Sequence, residues 1–204
     1  RKFLKITGLG LGSAAVLGWG LNRFGIVGNK ENYYLQGNYA PVEQIIYEDK
    51  LEVVGGIPKE LSGLYLRNGP NPMGKPNVKK YHWFEGEGML HGVKIDAGEA
   101  IWYRNRLVGG NASNTHVISH AGKIYAIVEA GNMPVEVDQQ LNSLDTDPFH
   151  GTLETGFTAH TKFDSQSKEL HGITYAFPRG SYEAHYVVVG KDGRVKRTDL
   201  LPLS

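Results

Sequence analysis

The sequence predicts an all-β protein built from short antiparallel strands. Glycine contributes 27 of the 204 residues, together with 9 Pro and 11 Tyr, and this is well above the usual glycine share of about 7%. Short apolar runs recur about every 8 to 12 residues with turn signals between them. No long stretch has the 3.6-residue apolar period of an amphipathic helix. These patterns are typical of a β-sandwich or a β-propeller, and periodicity alone does not separate the two.

The predicted strands follow one another from Leu64 onward and are separated by turn residues. Ala121-Gly122 and Asp192-Gly193 are the dipeptides expected in tight hairpin turns. The predicted strands cover Leu64 to Leu66, Met89 to Ile95, Ala100 to Val108, Thr115 to Ser119, Lys123 to Ala130, Phe157 to Phe163, Leu170 to Phe177, Ala184 to Val189 and Arg194 to Leu200.

The N-terminal residues 1–37 are predicted to be a leader and a linker. Residues 1–30 hold five basic and no acidic side chains, and the apolar run from Ile6 to Leu21 is sixteen residues long. A bilayer span needs about 20 residues. The RKFLK start resembles the end of a twin-arginine export motif, S-R-R-x-F-L-K, with Arg1 as the second arginine. We expect export to the periplasm or the thylakoid lumen, with retention as a membrane anchor and another type of leader as the alternatives.

The remaining composition excludes several classes of function. From residue 31 onward the chain has 17 basic and 21 acidic side chains, and this balance argues against a nucleic-acid surface. The chain contains no Cys, so neither a disulfide framework nor thiolate chemistry is available. Phosphate-binding loops and nucleophile elbows are also absent from the sequence.

The stretch from Gly63 to Val93 has the most constrained composition of the chain. Its Asn-Gly-Pro-Asn-Pro run, 68–72, cannot be helical, because each proline fixes its own φ and pushes the preceding residue into an extended conformation. The four aromatic residues at 81–84 need both an apolar environment and hydrogen-bond partners for their polar tips. We therefore expect this stretch to form a fixed wall.

Two blocks within this stretch resemble a family signature. Arg67-Asn68-Gly69-Pro70-Asn71-Pro72, followed by the run from His82 to Gly92, is similar to the RNGPNP and HWFDGDGMLHG pattern of the carotenoid cleavage dioxygenases. Glu85 and Glu87 replace the usual Asp. The resemblance implies a seven-bladed β-propeller of more than twice this length. Residues 38–204 are accordingly predicted to be its N-terminal part, covering the first blades of an incomplete ring.

The same resemblance singles out one of the eight histidines. His160, in the block from Phe157 to Asp164, matches the first of four histidine ligands to a non-haem Fe(2+) ion. Thr161 stands where the family usually has Pro, and His171 matches a histidine that is not a ligand. The other ligands are expected beyond Ser204.

Three further residues are assigned through the resemblance. Glu129 matches the first of three glutamates that orient the later histidines by accepting a ring N–H. Thr115 falls where a small side chain crowds a vacant iron position, although a β-branched strand residue is almost as good an interpretation. Val128 is apolar, whereas the lignostilbene-cleaving branch has a Lys near this position.

The implied function is cleavage of a conjugated C=C bond of a carotenoid or apocarotenoid by O2, giving two carbonyl products. The expected partners are an apolar polyene, O2 and, through the N-terminal segment, a membrane. Stilbene-type alkene cleavage and a non-catalytic or isomerase-like polyene-binding propeller are the alternatives.

Overall fold

The computed structural model describes residues 32–109, 113–129, 131–175 and 183–202. These residues fall into two units, one made of 32–41 with 76–82 and the other made of most of the remaining chain. The predicted leader lies largely in residues 1–31, outside the described residues. None of the helices in the described ranges is long and apolar enough to cross a membrane.

The smaller unit is organised by one asparagine. Two 3-10 turns, Tyr33–Leu35 and Gly37–Tyr39, follow Asn32. The Asn32 side chain accepts the N–H of Tyr34 at 2.8 Å and caps the first turn. Its amide nitrogen donates to the carbonyl of Tyr81 at 2.7 Å, so the same side chain ties together two segments that are distant in sequence.

The larger unit contains strands in three antiparallel sheets, and the predicted all-β class is confirmed. Glycine-rich turns and short alternating strands favour this arrangement over helices. The strands are β1 (Tyr47–Glu48), β2 (Gly63–Asn71), β3 (Glu87–Asp96), β4 (Glu99–Leu107), β5 (His116–His120), β6 (Lys123–Ile127), β7 (Val135–Val137), β8 (Lys162–Asp164), β9 (Glu169–Tyr175), β10 (Ala184–Val189) and β11 (Val195–Leu201).

In each sheet, strands that are consecutive in the sequence pair with each other, with one exception. The strand orders are β1-β4-β3-β2, β5-β6-β7 and β11-β10-β9-β8, so β1 pairs with β4 rather than with the strand that follows it. The predicted turn at Ala121-Gly122 joins β5 to β6, and both residues have positive φ, 50° and 77°. The predicted Asp192-Gly193 turn lies between β10 and β11.

Buried asparagines hold the segment that leads into β1. Asn71, in the Asn-Gly-Pro-Asn-Pro run, accepts the N–H of Val42 at 2.7 Å and donates to its carbonyl at 3.1 Å. Asn105, in β4, accepts the N–H of Ile46 at 2.6 Å and donates to Gln44 at 2.9 Å. A side-chain amide offers both a donor and an acceptor, and here it replaces a neighbouring strand.

The core sits on both faces of the second sheet. Successive residues of a strand point to opposite faces. Ala126 therefore packs in one apolar cluster with Leu90 and Leu141, while Tyr125 and Ile127 lie in another with Phe149, Phe157, Val187 and Val189. The three sheets consequently stack in chain order, with β5 to β7 in the middle.

One predicted strand is wrong. The sequence predicted a strand from Phe157 to Phe163, but the strand begins only at Lys162. The N–H of Ala159 donates to the Glu129 carboxylate at 3.0 Å, and the N–H of His160 donates to the Thr158 hydroxyl at 3.2 Å. Side-chain acceptors thus take the place of a partner strand, and this segment is irregular. Strands β1 and β7 were not predicted, because two or three residues are too few to show an alternation.

Candidate metal centre

His160 projects from a buried irregular segment. Phe157, Thr158 and Ala159 are 1 to 3% exposed, whereas the His160 side chain is 80% exposed. The buried residues fix the backbone, and the imidazole is left accessible from outside. An accessible imidazole on a rigid support is suited to binding a metal ion.

The Glu129 carboxylate lies against this segment. Glu129 follows the last residues of β6, and its Oε1 atom accepts the N–H of Ala159 at 3.0 Å and lies 3.3 Å from Nε2 of His160. The hydroxyl of Thr158 lies 3.3 Å from each carboxylate oxygen. The structure therefore brings together the two residues predicted for the site, although they lie 31 positions apart in the chain.

Tyr175 adds a phenol to the same cluster. Burial raises the pKa of Tyr175, and the charge of Glu129 and its hydrogen bond with the phenol raise that pKa further. The phenol therefore stays protonated at neutral pH and can donate to the carboxylate.

An open groove of about 420 Å³ runs past this cluster. Its lining combines the polar groups named above with apolar and aromatic surface. The lining residues are Glu129, Thr158, His160, Lys162, His171, Gly172, Ile173, Tyr175 and Tyr186.

His171 lies in the same groove but is engaged by other groups. Its Nδ1 atom is 2.8 Å from the hydroxyl of Tyr186, and its Nε2 atom is 4.0 Å from Oε2 of Glu169. An imidazole with both nitrogens facing hydrogen-bonding or charged groups is less available to a metal than that of His160. The assignment of His171 as a non-ligand stays a prediction.

Thr115 lies at the end of the β5–β6 hairpin where Glu129 is also found. Its N–H donates to Ile127 at 3.1 Å, and its hydroxyl donates to Oδ1 of Asn114 at 3.0 Å. Asn114 in turn donates to the carbonyl of Gly86 at 2.5 Å. Thr115 is thus tied to the Glu-Gly-Glu-Gly part of the signature, and its role beside a metal stays a prediction.

The donor chemistry of His160 and Glu129 fits iron(II) as part of a site. Within residues 32–109, 113–129, 131–175 and 183–202, no group of three or more His, Cys, Asp or Glu side chains could hold a metal ion. A neutral imidazole suits Fe(II). A carboxylate beside one ring nitrogen fixes the tautomer and strengthens donation from the other nitrogen.

A repeated histidine–tyrosine pair was missed in the sequence. His91 in β3 binds the hydroxyl of Tyr103 at 2.9 Å, as His171 binds Tyr186. In both sheets the tyrosine lies opposite the second residue after the histidine: Tyr103 pairs with Val93, and Tyr186 pairs with Ile173. The signal was present as two short matching runs, Leu90-His91-Gly92-Val93 and Leu170-His171-Gly172-Ile173, which mark equivalent strands of two sheets.

Comparison with known proteins gives consistent matches. The profile of the family described as RPE65, retinal pigment epithelial membrane protein, matches residues 39–111 and 108–203. A carotenoid cleavage oxygenase of Mycobacterium tuberculosis is 40% identical over 191 residues, covering 82% of this chain and 38% of the relative. A carotenoid 9,10(9',10')-cleavage dioxygenase 1 of Phaseolus vulgaris is 30% identical over 212 residues, covering 79% of this chain and 38% of that relative.

Solved structures share the fold. The lignostilbene dioxygenase of Pseudomonas brassicacearum superposes with a TM-score of 0.75 at 23% identity, covering 83% of this chain and 42% of that one. A mutant of the Synechocystis apocarotenoid oxygenase superposes with a TM-score of 0.65 at 20% identity, covering 79% and 43%. These likenesses confirm the predicted β-propeller fold.

The chain spans about 38% of the length of the curated relatives it matches. The family profile nevertheless covers residues 39–203 in two overlapping matches, including the signature blocks, Glu129 and His160. On this match the chain belongs to the retinal pigment epithelial membrane protein (RPE65) family, which is the family of the carotenoid oxygenases.

Proposed function

We propose that the full-length protein is a non-haem Fe(2+)-dependent dioxygenase that cleaves a conjugated C=C bond of a carotenoid or apocarotenoid with O2, giving two carbonyl products. The observation that carries the proposal is the contact between Oε1 of Glu129 and Nε2 of His160, 3.3 Å apart, at a groove that both residues line. The family assignment supports the reaction class, and this contact supports the choice of site residues.

The residues divide the work according to their chemistry. His160 provides an imidazole ligand, and Glu129 accepts the ring N–H of a later histidine ligand, which fixes the orientation and tautomer of that imidazole. One carboxylate has about four lone-pair positions, and the Ala159 N–H, the Thr158 hydroxyl and the Tyr175 phenol take three of them, so Glu129 has acceptor capacity left for one histidine ring N–H. When bound, the iron supplies open coordination positions for O2 and substrate.

The remaining three histidine ligands are proposed to come from sequence outside these 204 residues. The support is the 38% coverage of the relatives, which leaves most of a relative's length unmatched. Thr115 is proposed to stand beside a vacant coordination position, since it is tied to the signature block through Asn114.

An apolar polyene fits the groove lining. Ile173 and Tyr175 are 55% and 42% exposed on the outward face of β9, and Tyr186 lies opposite Ile173 in the register. Aromatic and aliphatic side chains of this kind bury large apolar area. Relatives named as carotenoid cleavage enzymes support this substrate class.

Residues 1–37 are proposed to contain a leader of the twin-arginine type and a linker, and the leader exports the folded protein to the periplasm or the thylakoid lumen and, where retained, associates it with a membrane. The support is the basic start and the short apolar run. Fusion of the full-length protein's N-terminal region, ending at residue 37, to a reporter separates the alternatives: export that depends on the twin-arginine pathway supports the proposal, and export through another route contradicts it.

The function is tested by measuring iron content and polyene bleaching on the full-length protein. Removal of a ligand in His160→Ala is expected to abolish both, while the β signal in circular dichroism remains. Glu129→Gln keeps the volume but replaces a charged acceptor with an amide, and we expect a loss of about 10 to 100-fold in metal affinity or activity. Cleavage of a stilbene in preference to a carotenoid, or polyene binding without cleavage, would support the alternative functions.

His171→Ala is the matched control, because His171 lines the same groove and is engaged by Tyr186. It is expected to retain iron. Full iron occupancy in the His160 variant, or loss of iron only in the His171 variant, would contradict the ligand assignment.

A further inference from the structure

The hydroxyl of Thr158 stands between the two residues of the candidate centre. Its Oγ1 atom lies 3.3 Å from both Oε1 and Oε2 of Glu129 and accepts the backbone N–H of His160 at 3.2 Å. A hydroxyl has one donor and two acceptor sites. It can therefore serve the carboxylate and the backbone N–H at the same time.

Thr158 is itself fixed by packing. Its side chain is buried, with the residue 3% exposed. A Cβ placed on Gly172 would lie 2.6 Å from Cγ2 of Thr158, so the methyl group occupies the space that a side chain at position 172 would need. Because a β-branched side chain has few χ1 positions, a methyl group held in this place also fixes the direction of the hydroxyl.

We propose that Thr158 is a positioning residue of the metal centre, whose hydroxyl holds the Glu129 carboxylate in register with the His160 backbone, and that Gly172 is required because it leaves room for the Thr158 methyl group. This inference rests on the proposed function. It adds two residues, neither of which binds the metal, that determine where the carboxylate meets the imidazole.

The first test compares iron(II) affinity of full-length variants by anaerobic titration against a chelator. Thr158→Val keeps the shape and removes the hydroxyl, and we expect the affinity to fall on the order of 10-fold. Thr158→Ser keeps the hydroxyl and should retain most of the affinity. Equal affinity of the valine variant and the wild type, or failure of the serine variant to restore binding, would overturn the proposal.

Thr174→Val is the matched control for the loss of a buried hydroxyl. Thr174 is also 3% exposed, but its hydroxyl donates to the carbonyl of Phe157 at 3.3 Å and not to Glu129. It is expected to leave iron affinity within about twofold of wild type, a difference worth about 0.4 kcal/mol. A loss as large as that of Thr158→Val would mean that any buried hydroxyl in this sheet matters, and the positioning role would be rejected.

The second test uses the space beside Gly172. Gly172→Ala should displace the Thr158 methyl group and weaken iron binding. The combination Gly172→Ala with Thr158→Ser removes that methyl group but keeps the hydroxyl, so affinity should recover towards that of Thr158→Ser alone. A combined variant that binds iron no better than Gly172→Ala would contradict the role given to the glycine.

A metal-free measurement separates this inference from the proposed function. The unfolding midpoint is measured for Thr158→Val, Glu129→Ala and the double variant of the iron-free protein. If the hydroxyl holds the carboxylate, the two losses are not additive, because both changes remove the same interaction. Additive losses would overturn the inference, whereas non-additive losses in a protein that binds no iron(II) would overturn the proposed metal centre and leave the contact between Thr158 and Glu129 standing.

Discussion

Replacing Gly88 with alanine should disrupt the contact between the first sheet and the segment that carries Thr115. A Cβ at Gly88, in β3, would lie 2.3 Å from the carbonyl oxygen of Ser113 and 3.0 Å from Cγ2 of Val108. Ordinary contacts are 3.4 to 4 Å, so the backbone would have to move by about 1 Å. The Ser113 carbonyl cannot move freely, since it accepts the Asn68 side-chain amide at 2.7 Å.

The expected cost follows from these two contacts. Overpacking of a close-packed site costs about 1 to 3 kcal/mol, and a weakened hydrogen bond to a buried carbonyl adds about 1 kcal/mol. We therefore expect Gly88→Ala to lower the free energy of unfolding by about 2 to 4 kcal/mol. The measurement is urea unfolding followed by circular dichroism. An unchanged slope of the unfolding free energy against urea concentration is the evidence that only stability has changed.

Gly69 is the matched control, because it pairs directly with the residue after Gly88 in the same two strands. A Cβ at Gly69 would meet no atom within 4 Å, and its φ is not in the left-handed region. Gly69→Ala should be neutral or stabilising by up to about 1 kcal/mol, since alanine restricts the unfolded chain. Equal effects of the two substitutions would refute the close-approach argument.

Two other predictions concern the histidine–tyrosine pair and the core. Burial and the charge of Arg67 lower the pKa of His91. The unfolded chain therefore binds more protons than the folded chain, and the free energy of unfolding should fall as pH drops below about 6.5. His91→Gln should flatten this dependence of unfolding free energy on pH, and a variant with the wild-type pH dependence would contradict the prediction. Phe149 is fully buried, with its ring centroid 4.7 Å from that of Tyr125, and Phe149→Ala should cost about 3 to 5 kcal/mol. Phe163→Ala, at a ring 56% exposed, is the control and should cost under about 1 kcal/mol in the same unfolding assay.

The sequence by itself determined the class of fold and most strand positions. Alternation along a strand and the chemistry of a hairpin turn are local, so Ala184–Val189 was predicted with its observed ends and Ala121-Gly122 was placed at a turn. Local signals fail where a strand is very short. Strand β7, only three residues long, carries no readable pattern, and β1 pairs with β4 by placing Tyr47 opposite Arg104, which are far apart in the chain.

The arrangement of the candidate centre was decided by the tertiary structure. The sequence could single out Glu129 and His160 through a motif, but their contact depends on the packing of the second sheet against the third around Tyr125, Phe149 and Phe157. That packing also turned the predicted strand at Phe157 into an irregular segment, because the Glu129 carboxylate replaced a partner strand as the acceptor for Ala159. Residue patterns report which face a side chain takes, whereas the meeting of two distant side chains is fixed only when the sheets pack.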